Sequence, residues 1–306
     1  MLPAVLAGSM AGVLFLLPSL AAGAPFLALP LAIAGLFSAL PLLTLRMSGR
    51  PIHGVLAAAV AILLILVLDS AEAASGFAVL FGVWALVSGE VLSRRRSVIA
   101  AGVAGLCILS VEALLAASIE GTAPIEATLK TPQVQASFDQ WAASAPLEPG
   151  EAKAAVERVR AAIVALYPSL SVISAATIVA LNAVALGRLV PRIGAPGFKA
   201  GELLTLRWPL TLVVAFVGSG ALLLLPPAQT VAWNGLVVTL FFFLLQGLSV
   251  MTFVLTRLFP SELMRTLFVV ASLLGPWAIL LALLGLFDQW FDFRSRFTSG
   301  ETPAAP

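Results

Sequence analysis

Few side chains in this sequence could do chemistry. There is one histidine, His53, and one cysteine, Cys107. Zinc sites lean on several His and Cys ligands, so no metal site can be assembled. No GxSxG, P-loop or GxGxxG motif stands in a usable context, so no cofactor is expected. No nucleophile–base pair can be built either. No catalytic residue is assigned, and the chain reads as a non-enzyme.

Three polar residues inside apolar runs are the ligand-binding candidates: Glu112, Asn182 and Gln246. Glu112 lies among Leu109, Val111, Leu114 and Leu115. An ionisable group at mid-membrane costs about 2.5–3.5 kcal/mol on insertion scales and is a functional candidate by default. It is expected to face the bundle interior near Asn182 or Gln246, as a ligand or proton site or as a structural hydrogen-bonding group. The two amides serve as glue between helices or as pocket lining. Glu90 has Arg94 four residues on, which reads as a helix-end ion pair. Asp69 and Glu72 read as hydrated groups at the outer mouth. Asp288 and Asp292 share a helix face, and Arg296 follows by the same step. Trp290, Phe291 and Phe293 read as an interfacial belt. Arg207-Trp208-Pro209 repeats the theme, with proline in the first turn of a helix.

The elements that must hold these groups are membrane helices. Of the 306 residues, 60% are hydrophobic and only 10% charged, against about 25% charged in a soluble domain. Mean hydropathy is +1.07. Such a chain is an integral membrane protein with the bilayer as its first partner, which excludes a secreted domain, a cytosolic enzyme and a nucleic-acid binder. The net charge of +2 comes from arginines at segment ends, not from a basic face. Three lysines against fourteen arginines, with abundant alanine, point to a GC-rich bacterial genome.

A crossing of about 30 Å needs roughly 20 apolar residues. Nine runs qualify: Ala4–Ala22, Phe26–Leu45, Ile52–Asp69, Gly76–Leu92, Val98–Ala117, Tyr167–Gly187, Pro209–Leu225, Val231–Thr256 and Thr266–Phe287. The expected fold is an all-α polytopic bundle of nine helices, or eight if one early run is re-entrant. Gly23-Ala24-Pro25, Ser48-Gly49-Arg50-Pro51 and Pro226-Pro227 separate runs. No Lys or Arg precedes the first run, so it reads as a retained helix and not a signal peptide. Arg46, Arg50, Arg94, Arg95, Arg96, Arg188, Arg192, Lys199, Arg207, Arg257 and Arg265 all fall on one face, which the positive-inside rule makes cytoplasmic. The N-terminus is then inside. Nine crossings put the C-terminus in the periplasm, against which Arg294 and Arg296 argue.

Residues 118–165 break the pattern and hold 10 of the 32 charged residues. Val134, Phe138 and Trp141 form one helical stripe; Ala155, Val156, Val159, Ala162, Ile163 and Leu166 form another. Two amphipathic helices on the outer surface are expected. The chain then divides into an N-terminal membrane half (1–117), this insertion (118–165), a C-terminal membrane half (166–293) and a polar tail (294–306).

An ordered series in the second half carries a resemblance. It runs through Tyr167-Pro168, Leu181-Asn182, Arg188 to Gly194 and Leu206-Arg207-Trp208-Pro209. It continues with Leu245-Gln246-Gly247-Leu248 and Leu284 to Asp288, then Trp290-Phe291-Asp292-Phe293-Arg294. This resembles the YybS-like family of bacterial multi-pass membrane proteins. That likeness marks Arg207, Trp208, Pro209, Asp288, Trp290, Asp292 and Arg294 as family-motif candidates. The family's distant similarity to substrate-binding subunits of energy-coupling-factor vitamin transporters implies a small-molecule ligand and transporter subunits as partners. Those subunits dock through an Ala-x-x-x-Ala ridge on the first helix. Ala7 and Ala11 have that spacing here, beside Gly8 and Gly12, and ordinary helix packing explains the pattern equally. The chain departs from the six-helix layout of those subunits. The expected function is a non-enzymatic inner-membrane protein that binds or helps transport a small molecule. The alternative is an envelope assembly protein that binds other membrane proteins. An outward cavity lined by Glu112, Asn182 or Gln246 would mark the first; a closed bundle with an apolar patch on the insertion would mark the second.

Overall fold

The computed structural model describes residues 1–19, 25–46, 51–146, 148–192, 202–273 and 275–299. Gly23-Ala24, Ser48-Gly49-Arg50, Lys199 and residues 300–306 of the expected tail lie outside them. The described residues are mostly helical, with no strand among them. The N-terminal half holds α1 (Leu2–Leu16), α2 (Pro25–Gly35), α3 (Leu40–Arg46), α4 (Pro51–Leu68), α5 (Ala71–Phe77), a π-helical stretch (Ala78–Val83), α6 (Trp84–Arg95) and α7 (Val98–Glu120). The insertion forms α8 (Ala123–Leu129), α9 (Pro132–Ser144) and α10 (Pro149–Ala165). The C-terminal half holds α11 (Tyr167–Arg192), α12 (Thr211–Leu222), α13 (Gln229–Leu258), α14 (Glu262–Ser272), α15 (Trp277–Phe291) and α16 (Phe293–Ser299).

Five helical stretches are long and apolar enough to cross a membrane: Leu2–Ser19, Leu29–Arg46, Ala71–Arg95, Tyr167–Leu189 and Pro226–Leu258. Ile52–Leu68, Val98–Glu112 and Thr211–Leu222 are shorter apolar helices, and α14 with α15 makes a bent pair. Together these occupy the nine expected runs. Small residues set the closest approaches. A methyl group at Gly8 would collide with the Ala57 carbonyl, and one at Gly12 would stand 3.0 Å from Leu64. Residues 8 and 12 thus meet 57 and 64 in ascending order, so α1 and α4 run parallel. Gly105 meets Ser88 and Trp84, and Gly102 meets Val179 and Ala183, which seats α7 between α6 and α11. Around this seam Phe77, Phe81, Trp84, Ile65 and Leu109 form the N-terminal core. A separate core of Val213, Phe243, Ala282 and Leu286 joins α12, α13 and α15.

The last run is not one straight helix. It breaks at Gly275-Pro276, where Gly275 has φ +63°, and α14 and α15 are bent by 101°. Gly285 packs on the Phe243 carbonyl. Further along, Gln246 bonds to Asp288, Ser249 to Arg294 and Arg257 to the Phe297 carbonyl. Gly247 in turn meets Leu281 and Gly285, so the two helices cross closely at this pair of glycines, and the end of α15 with α16 lies along the last turns of α13. The ninth run is a bent pair of helices, the form of a broken span or a re-entrant loop, and α16 reaches the end of α13 that carries Arg257. Residues 294–299, expected as a polar tail, are helical.

The insertion also differs from expectation. It has three helices, because Gly121 (φ +62°) ends α7 and Pro124 sits in the first turn of α8. The buried face of α10 is Ala152 and Val156, whereas Val159 is 39% exposed. The face is rotated because Arg160 covers the Phe138 ring at 4.9 Å and bonds to Gln135 at 2.5 Å. A long arginine stem can cover apolar surface as well as a valine can.

Candidate functional site

The motif residues converge where α13, α15 and the segment before α12 meet. Pro209 and the irregular backbone 206–209 leave carbonyls and N–H groups unpaired within their own segment, and side chains from two helices supply partners. Gln246, fully buried on α13, accepts from the Trp208 backbone N–H at 2.9 Å and from Gln289 Nε2 at 3.1 Å. Its own Nε2 donates to Asp288 Oδ2 at 3.1 Å. Gln289 Nε2 also donates to the Trp208 carbonyl at 3.0 Å. The Trp208 indole N–H reaches the Phe242 carbonyl at 2.8 Å.

Asp288 is fully buried and answers this set with a charge. Its Oδ2 receives Arg294 Nη1 at 2.9 Å, and its Oδ1 receives the Phe293 N–H at 3.1 Å. Arg294 can turn back because Asp292 adopts the left-handed conformation (φ 42°) and ends α15. Arg294 Nη2 then holds the Leu206 carbonyl at 2.9 Å and the Ser249 hydroxyl at 3.1 Å. Burial lowers the Arg294 pKa from its ordinary value, although Asp288 and Asp292 act in the opposite direction. The guanidinium remains charged. At the rim, Arg207 donates to the Gln289 carbonyl at 3.1 Å and stands 3.8 Å from Asp292. Trp290 is 58% exposed. The arrangement is a closed lock that ties α15 and α16 to α13 and to the segment before α12. Sequence reasoning missed Gln289 and Ser249; the i+1 position beside Asp288 was a signal for the former.

The three ligand-binding candidates do not meet. Gln246 belongs to this lock. Asn182 is fully buried and plugs a helix break: Leu40 bonds to Phe37, which frees the Leu36 carbonyl, and Asn182 Nδ2 donates to it at 2.8 Å. Glu112 stands apart from both. Gly102 faces Val179 and Ala183, so Asn182 lies at the level of Gly102. Ten residues of helix, about 15 Å, separate that level from Glu112. The expected contact of Glu112 with Asn182 or Gln246 is therefore not formed. Its Oε2 is buried with no hydrogen-bond partner among the described residues.

The remaining candidates are structural in setting. Glu90 pairs with Arg94 as expected and also with the buried Arg46. Gly8, Ala11 and Gly12 are buried against α4, not presented as a free ridge. Ala7 lines a shallow, open, largely apolar groove of about 370 Å³ with Leu6, Met10, Leu40, Pro41 and Leu189. No group of three or more metal-ligating side chains occurs among the described residues. Glu202, not singled out from sequence, caps α7 by accepting from the Val98 N–H at 2.7 Å.

Comparison with known proteins returns one family model, described as a predicted membrane protein family (DUF2232), which matches residues 11–289. No curated protein and no solved structure matches the chain.

Proposed function

The chain belongs to the DUF2232 family of predicted membrane proteins, and from that premise we infer that it is a non-enzymatic inner-membrane protein that binds a small molecule or helps transport it. The observation that carries this reading is the bent pair α14–α15, whose second helix is locked to α13 through Asp288, Gln246 and Arg294. Broken helices and irregular backbone at membrane depth survive only where protein or a lined cavity satisfies them, and they are the usual framework of solute sites. The break at 36–39 and the π-helical stretch at 78–83 belong to the same pattern. The resemblance to the YybS-like family, with its link to energy-coupling-factor subunits, supports the same class.

The bacterial inner membrane suits the arginine placement. We assign the cytoplasm to the arginine-rich face and, because α16 lies beside Arg257, to the C-terminal helix as well. That replaces the periplasmic C-terminus expected from nine crossings.

A second reading, an envelope assembly protein, is favoured by one observation: Glu112, Asn182 and Gln246 line no common cavity. Native mass spectrometry of the protein released from its own membranes separates the two. A bound small molecule at near-stoichiometric occupancy supports the transport class. Stoichiometric envelope proteins with no small molecule would overturn it in favour of assembly.

A further inference from the structure

Glu112 is used by nothing described so far. It lies two turns, about 10 Å, beyond Gly105, where α7 crosses Ser88 and Trp84 of α6. That offset sets it at the level of the π-helical stretch 78–83, which contacts α7. Its flanking residues Val111 and Leu115 are exposed on the apolar surface, while its own Oε2 is buried and unpartnered.

Among the described residues no cationic side chain is paired with it. On α6 the charged residues are Glu90, Arg94 and Arg95, beyond Gly105 in the opposite direction, and Glu90 is paired with Arg46 and Arg94. On α11 they are Arg188 and Arg192, at the far end of that helix. Glu202 caps the first turn of α7. The π-helical stretch has none. At the near end stand Asp69, Glu72 and the phenol of Tyr167, which carry no positive charge. Two further buried polar atoms lack partners inward of Glu112: Ser88 Oγ, beside Gly105, and Asn182 Oδ1, at the level of Gly102. Buried polar atoms without partners call for an unseen ligand, proton or water.

We propose that Glu112 is a proton-binding site of the membrane domain, the proton being the counter-charge that no described side chain supplies. This deepens the transport reading by naming a coupling ion, yet its test stands whether or not a solute is carried. Dicyclohexylcarbodiimide adds across a protonated carboxyl in apolar surroundings and leaves a stable adduct. The purified full-length protein, treated with this reagent and mapped by peptide mass spectrometry, is expected to carry the adduct at Glu112. Labelling should slow in alkaline buffer, about tenfold per pH unit once the group ionises. It should be lost in Glu112→Gln and retained in Glu112→Asp. Asp288, neutralised by Arg294, should stay unlabelled in the same sample and reports that the fold is intact. An unlabelled Glu112 in a sample with intact Asp288 protection would overturn the proposal. So would labelling insensitive to pH. Protection of Glu112 by sodium ions would also overturn it, showing a metal-cation site in place of a proton site.

Discussion

Replacing Asp288 with Asn tests the lock most directly. The change keeps the shape of the side chain, removes its charge and turns one accepting oxygen into a donating amide nitrogen. Asp288 is fully buried and receives Gln246, Arg294 and the Phe293 N–H. Arg294, whose side chain is 13% exposed, would then keep a charge with its buried carboxylate gone. Removing one partner of a buried pair costs about 3–5 kcal/mol, most of it the stranded charge. At about 2–4 °C per kcal/mol for a chain of moderate size, the apparent melting temperature in detergent should fall by something on the order of 10 °C. The double variant Asp288→Asn/Arg294→Gln should recover part of that loss, because the stranded charge is gone. A cysteine placed at Phe297 should become more reactive in the single variant as α16 leaves Arg257. Melting of Asp288→Asn within about one degree of the parent, where a loss of this size cannot hide, would refute the lock. So would a double variant worse than the sum of the singles.

Three other outcomes follow from the same geometry. Reporter fusions after Arg96 and after Ser299 should read cytoplasmic, and those at Ala143 and Ala228 periplasmic; a periplasmic signal at Ser299 would restore a straight ninth crossing. Gly8→Leu should abolish close packing of α1 on α4, seen as loss of a disulfide cross-link between cysteines at Ala4 and Ala57 in an otherwise inserted protein. Asn234 accepts from the Ser169 N–H and donates to the Ala165 carbonyl, so Asn234→Ala should speed hydrogen exchange at Ser169 by loosening the insertion from α13, at a cost of about 1–3 kcal/mol.

Much of this fold was legible because lipid imposes one rule on every run: about twenty apolar residues, with arginine at the inner ends. Runs one to eight follow it. Run nine obeys the rule in composition and breaks it in path. Gly275-Pro276 was the visible signal, but hydropathy counts length and not direction. The motif residues Arg207, Trp208, Asp288 and Arg294 were visible as a series, yet their convergence depends on α13 and α15 crossing closely at Gly247 and Gly285, which no local pattern states. Glu112 was legible as an anomaly, and its isolation from Asn182 and Gln246 was not, because the packing register of α7 is set by Gly102 and Gly105 against residues far along the chain. On α10 the stripe held at Val156 and in part at Ala155, Ile163 and Leu166, and failed at Val159 and Ala162, beside an Arg160 that took an apolar role.

The cap on α7 has a consequence for how the protein is made. Val98 and its partner Glu202 are 104 residues apart, so at roughly 5–20 residues per second the ribosome takes about 5–20 s to supply the cap after Val98 has been synthesised. The Leu206 carbonyl waits in turn for Arg294, 88 residues later. During biogenesis the early helices therefore enter the bilayer with exposed ends that only later synthesis can close. Products released between these two events would have α7 capped but the Leu206 carbonyl at the cytoplasmic rim still open, so a chain stalled before Arg294 should be less stable than one stalled after α16.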